Sequence, residues 1–187
     1  MSKTARRSAK HPSIPLWLAA HEAAHVVARI QLSAAYHLSD VNRPGCIEEV
    51  RVWIEPDGTL RGLCTWDYKQ RAVPWPYQAI SWAAGPIAEA RVREVDPKEC
   101  LVESDDYLML NHYAERGYAD LDEAIREGTR IVEECWDDIL KLAAFLQQNG
   151  SADFSQVSKV LDLPNGRCIY DEDTRPDPSP RRPAVAA

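Results

Sequence analysis

Apolar residues recur at helical spacing over residues 15–33, where Leu16, Ala20, Ala23, Val27 and Ile30 fall along one element. Ser13 is placed to cap this helix, and Pro15 sits in its first turn, where a missing N–H costs nothing. Ile47-Glu48-Glu49-Val50-Arg51-Val52-Trp53-Ile54 alternates imperfectly and is rich in β-branched residues, as a strand requires. Pro56-Asp57-Gly58 supplies a turn, and Leu63-Cys64-Thr65-Trp66 reads as a short return strand, so a hairpin is expected. A second helix over 77–95 carries Ala79, Ile80, Ala83, Ile87 and Ala90, with Pro86 expected to kink it or restart it near Gly85. Asp96-Pro97 ends it.

Ser104 has the character of an N-cap, and Asp105 and Asp106 fall in the first turn that follows, where the helix dipole favours acids. Gly117 stops that helix near residue 116. Asp120 and Glu123 have the spacing of a capping box for one long helix, striped by Ile125, Val132, Trp136, Ile139, Ala143 and Leu146 and ended by Gly150. A short helix is expected over 155–161. The pattern predicts a mainly α fold, a helical bundle with a small β-hairpin or sheet. Residues 1–12 read as a disordered basic arm, 13–170 as a single domain, and 171–187 as a disordered Pro-rich tail.

Composition narrows the function classes. The 187 residues, 45% hydrophobic and 27% charged, suit one soluble domain with a real core. A net charge of −7 offers no overall attraction for nucleic acid or anionic lipid. Lys3, Arg6, Arg7 and Lys10 give the arm its positive charge, and such short basic arms are ordinarily solvated. The five cysteines (Cys46, Cys64, Cys100, Cys135, Cys168) are odd in number, widely spaced and without a C-x-x-C pair, which fits a reducing cytoplasm rather than a disulfide framework. No signal peptide is expected, because the apolar run ending at Ala20 is short and leads into His21 and Glu22. The long uncharged stretch 72–88 is interrupted by Pro74, Pro76 and Pro86, so no membrane span is expected either.

The chemistry concentrates in His21-Glu22-Ala23-Ala24-His25. Histidines four apart on a helix share one face, so two imidazoles can hold one metal ion while the intervening glutamate reaches a water on it. An H-E-x-x-H string arises by chance in fewer than about one in a hundred chains of this length. A hydrolytic zinc site needs a third protein ligand and an open position. The extended pattern with a third histidine fails, since positions 28 and 31 are Ala and Gln. Glu48, Glu49, Glu89, Asp105 and Asp106 are all acidic candidates, with the Ser104-Asp105-Asp106 turn the most rigid place to aim a carboxylate. Local pattern reads Asp105 and Asp106 equally well as dipole-complementing caps. His11, His37 and His112 match no motif position.

The order of these motifs resembles the protease domain of the FtsH family, the membrane-bound AAA metalloproteases. There, an H-E-A-G-H helix precedes a strand pair, a G-R-A-A-E helix and an S-x-D turn. This chain has His21–His25 with Ala24 in place of glycine, the strand pair around Gly62-Leu63, Gly85-Pro86-Ile87-Ala88-Glu89, and Ser104-Asp105-Asp106. The likeness runs over about 15–162, and Pro86 stands where the family has arginine. It implies zinc held by His21, His25 and Asp106, Glu22 as catalytic base, and Glu89 as a helix residue near the site. It also implies an extended peptide paired to the hairpin's edge strand.

The chain carries no G-x-x-x-x-G-K-[ST] phosphate loop and lacks the family's membrane anchor, so it resembles a stand-alone relative without the ATPase module. The expectation is a cytoplasmic, zinc-dependent metalloendopeptidase acting on peptides or unfolded protein segments without its own ATPase. The alternative is a catalytically silent, metal-binding adaptor or regulator of the same fold. A homo-oligomer and a separate ATPase or adaptor partner both stay open.

Overall fold

The computed structural model of the chain describes residues 13–35, 47–66 and 75–163. The expected arm and tail, together with His11, His37, Cys46 and Cys168, lie outside the described residues. The architecture is mainly helical. Among the described residues seven helices and three strands run in the order α1 (Leu16–Ala35), β1 (Ile47–Ile54), β2 (Leu60–Trp66), α2 (Trp75–Arg93), α3 (Pro97–Glu103), α4 (Asp105–Glu115), α5 (Leu121–Glu134), α6 (Trp136–Asn149), β3 (Ser151–Asp153) and α7 (Phe154–Val160).

Helix α1 is the axis of the molecule. Ala19, Ala20, Ala23, Ala24, Val26 and Ala28 are fully buried, so nearly its whole circumference is covered. A helix apolar all round belongs in a core. Its small side chains let α2 approach closely, and α2 answers with Ala79, Ala83, Ala84 and Ala88, also fully buried. Helix α6 closes another side of α1 with Ile139, Leu142, Ala143 and Leu146. Gln147 Nε2 donates to the Ile14 carbonyl at 2.7 Å, which ties the end of α6 to the start of α1. The first backbone bond of α1 runs from Ala19 N to the Pro15 carbonyl, so the cap position falls at Pro15 rather than the expected Ser13.

The sheet is antiparallel with strand order β2-β1-β3. Val50 and Val52 of β1 turn into the core, while Glu48 and Glu49 face solvent across a register shift between Ile47 and Glu49. The hairpin is as expected, but its return strand begins at Leu60 rather than Leu63. Strand β3 carries too few residues to show alternation. It forms because Gly150, left-handed at φ 78°, turns the chain out of α6 and aligns Ala152 with Val50.

Two helical expectations need correction. Pro86 does not restart α2 near Gly85, and the helix runs unbroken from Trp75 to Arg93. One missing backbone donor is tolerated there because neighbours grip the helix on several faces. The expected break at Asp96-Pro97 is present, α2 having ended at Arg93, and the same residues open α3, with the Asp96 side chain accepting from Lys98 N at 2.9 Å. The expected long helix divides at Cys135 (φ −107°, ψ 20°) into α5, which packs on α2, and α6, which packs on α1. Asp120 does cap α5, accepting from Glu123 N at 2.9 Å.

Candidate metal centre

His21 and His25 leave α1 one turn apart and point at the start of α4. That helix begins where the sequence indicates, because Ser104 Oγ accepts from Tyr107 N at 3.2 Å. Asp106 is thereby fixed in the first turn. His21 Nε2 lies 3.0 Å and His25 Nε2 3.4 Å from the same oxygen, Asp106 Oδ2. One ligand atom from each of the three residues lies within 4.8 Å of the others. Ligands bonded at about 2.0–2.1 Å to a tetrahedral ion stand about 3.3 Å apart, so the spacing fits zinc. Two imidazoles and one carboxylate are also the donor set such an ion takes.

The outer ring nitrogens are held as well. Glu89 Oε2 lies 3.0 Å from His21 Nδ1, and Arg93 Nη1 donates to the other oxygen, Oε1, at 2.7 Å. His25 Nδ1 donates to the Ser81 carbonyl at 2.7 Å, and Ser81 Oγ returns a bond to the His25 carbonyl at 3.2 Å. With Nδ1 engaged on both rings, Nε2 is the atom each presents to the centre. Such outer partners typically account for 10- to 100-fold in metal affinity. Glu89→Gln is therefore expected to weaken zinc binding by about that factor while leaving the ligand set intact, as read by competition with a chromophoric chelator. Unchanged affinity would show that Glu89 does not orient His21.

Electrostatics in the metal-free chain point the same way. Burial alone depresses the pKa of His21, but hydrogen bonds to Asp106 and Glu89 outweigh it and push the value up to about 10. Burial by itself raises the pKa of Asp106, yet His25 and His21 hold its carboxyl far below the usual range. The trio favours positive charge between the rings, which protons meet in the chain alone and which a divalent ion could meet in their place.

Glu22 is 6% exposed and takes no part in this trio. Burial raises its pKa, with His25 and His21 pulling partly back. Two glycines make room for the group. A Cβ at Gly85 would stand 2.5 Å from the His25 ring and 2.9 Å from His21 Nε2. A Cβ at Gly62, on strand β2, would overlap the Glu22 carboxylate. Because the end of the glutamate can swing aside, Gly62→Ala is expected to fold and to bind zinc like the parent. It displaces Glu22, so any hydrolysis in which Glu22 serves as base would fall by about 10²-fold or more, measured as initial rate per bound zinc. Parental rates would show that Glu22 does not work from this position.

A cleft of about 460 Å³ opens over the group. Trp17 and Leu18 of α1, Leu60 and Leu63 of β2 and Trp82 of α2 form its apolar walls. The other sequence candidates stand apart from the trio. Asp105 lies at the rim and is exposed, Glu48 and Glu49 face solvent, and Glu89 serves His21 from behind. Exposed His112 packs edge-on to Tyr113. Ser81 and Trp82 carried no signal of their own in the sequence, and Gly62 entered only as part of the strand pair. Gly85 was legible as the place where Pro86 was expected to restart the helix and as the glycine matching the G-R-A-A-E pattern, not as a neighbour of the histidine rings.

Among the described residues no helix is long and apolar enough to cross a membrane, and Cys64, Cys100 and Cys135 are free thiols. Comparison with family models, with curated proteins and with solved structures finds no match to this chain.

Proposed function

We propose that this protein is a zinc-dependent peptidase. The observation that carries the reading is the meeting of His21 Nε2 and His25 Nε2 on Asp106 Oδ2, with the buried Glu22 carboxylate beside them under β2. His21, His25 and Asp106 would hold the ion, which when bound lowers the pKa of a water and polarises the scissile carbonyl. Glu22 takes the proton of the attacking water on its carboxylate and passes it to the departing amine nitrogen. A carboxylate whose pKa is raised by burial suits both acts, since the proton must be held and then released.

Substrate access supports peptide over compact ligands. Among the described residues strand β2 ends the sheet, so its outer edge has backbone groups to offer to an extended chain, and its Gly62 lies against Glu22. A segment paired there runs past the base. The collinear resemblance to the FtsH protease domain supports the same reading, since Asp106 falls where that pattern has its third ligand.

The test is metal content and hydrolysis together. Purified protein is expected to carry about one zinc and to cleave an unstructured substrate such as casein, with loss of cleavage under chelator and return with added zinc. Protein that neither retains zinc nor loses stability under chelator would overturn the metal site. Zinc-loaded protein that cleaves no peptide would overturn the peptidase reading and leave a metal-binding adaptor.

A further inference from the structure

Trp75, Gln78, Trp82, Gly85 and Glu89 follow one another at three- and four-residue steps and so occupy one face of α2. The Glu89–Gly85 end of that face belongs to the metal centre, and Trp82 and Gln78 continue it as cleft wall. Beyond them the face is aromatic. Tyr113 of α4 packs on Trp82 with ring centroids 5.0 Å apart and stacks on Trp75 at 4.7 Å. Tyr118 stacks on Trp75 at 6.1 Å, its plane tilted by 25°. Trp75 is 43% and Tyr118 46% exposed.

Single exposed apolar residues are ordinary, but a contiguous array of four rings, two of them facing water, is not. The rings fix one another, so an incoming side chain meets a surface that loses little entropy on binding. The array is continuous with the cleft through Trp82, and Trp75 stands about 15 Å from Gly85 along the helix axis. An extended peptide covers that distance in about four or five residues.

We propose that this array is a substrate subsite, which takes an aromatic or similarly bulky apolar side chain of an extended peptide a few residues from the scissile bond. The proposal rests on the peptidase reading for its substrate, and names what that substrate must carry. Trp82 guides the segment out of the cleft, and the exposed faces of Trp75 and Tyr118 receive the side chain.

The experiment uses the full chain as zinc-loaded Glu22→Gln, which binds without turnover. Short unstructured peptides, identical except for Phe or Ala at one scanned position, are titrated by fluorescence anisotropy. At one position Phe is expected to bind about tenfold more tightly than Ala, and adding Trp75→Ala should reduce that preference to about threefold or less. Tyr118→Ala should erode the same preference at the same position. Both residues are substantially exposed, and unchanged thermal unfolding checks that the fold is kept. No binding of any peptide, no position with a Phe preference, or a preference that survives in both variants would overturn the subsite. Casein cleavage by the parent protein reports separately on the peptidase: cleavage without a Phe preference sinks the subsite alone, whereas Phe-selective binding without cleavage sinks the hydrolase and leaves a peptide-binding face.

Discussion

Hydrolysis of casein by zinc-loaded Glu22→Gln is expected to fall by about 10²- to 10⁴-fold while the zinc content stays at the parental level. The change swaps one oxygen for an amide nitrogen and alters no donor of the His21, His25 and Asp106 group. The new side chain is neutral, so the desolvation that raises the glutamate's pKa has no charge left to act on. Stability should therefore be equal or slightly higher, and the loss of rate belongs to proton transfer alone. Metal analysis, thermal unfolding and initial rates on one preparation separate these effects. A variant that still cleaves casein at the parental rate would remove Glu22 from the mechanism.

Asp106→Ala is expected to lose zinc affinity by well over the 10- to 100-fold assigned above to Glu89, because a ligand rather than its support is gone. The readout is thermal. Zinc at a hundred times its dissociation constant should stabilise the parent by about 2.7 kcal/mol, which raises Tm by about 5–10 °C in a domain of this size. That shift should vanish in Asp106→Ala at the same zinc concentration. The variant also removes the carboxylate that compensates two buried imidazoles, so its metal-free form should unfold at lower temperature than the metal-free parent. Asp105→Ala is the matched control. Its side chain is exposed at the rim, and the zinc-induced shift should persist. Loss of the shift in Asp105→Ala alone would reverse the assignment of the third ligand.

These two outcomes divide along the line between local and distant information. His21, Glu22 and His25 were legible because a helix brings positions four apart together whatever the rest of the chain does. The caps at Ser104 and Asp120 were legible for the same reason, since a cap is a contact over three residues. Errors arose where a local signal was overruled by packing. Pro86 would break an isolated helix, yet α2 is held between α1, α4 and α5 and continues. The stripe from Ile125 to Leu146 is continuous in sequence, but it serves two partners, α2 and then α1, and the backbone changes course at Cys135.

The amino-acid sequence by itself determined most of the elements, the pair of histidines, the glutamate between them and a short list of acids, because each depends on spacing within a turn or two. It also placed Asp106 in the first turn of its helix. Only the tertiary structure set Asp106, rather than Asp105 or Glu89, on both Nε2 atoms and put Glu89 behind His21. It alone laid Gly62 over Glu22 and joined Trp82 to Tyr113 at the mouth of the cleft. Those contacts join segments far apart in the chain, and no local pattern encodes which side chain a distant helix will present to a buried ring.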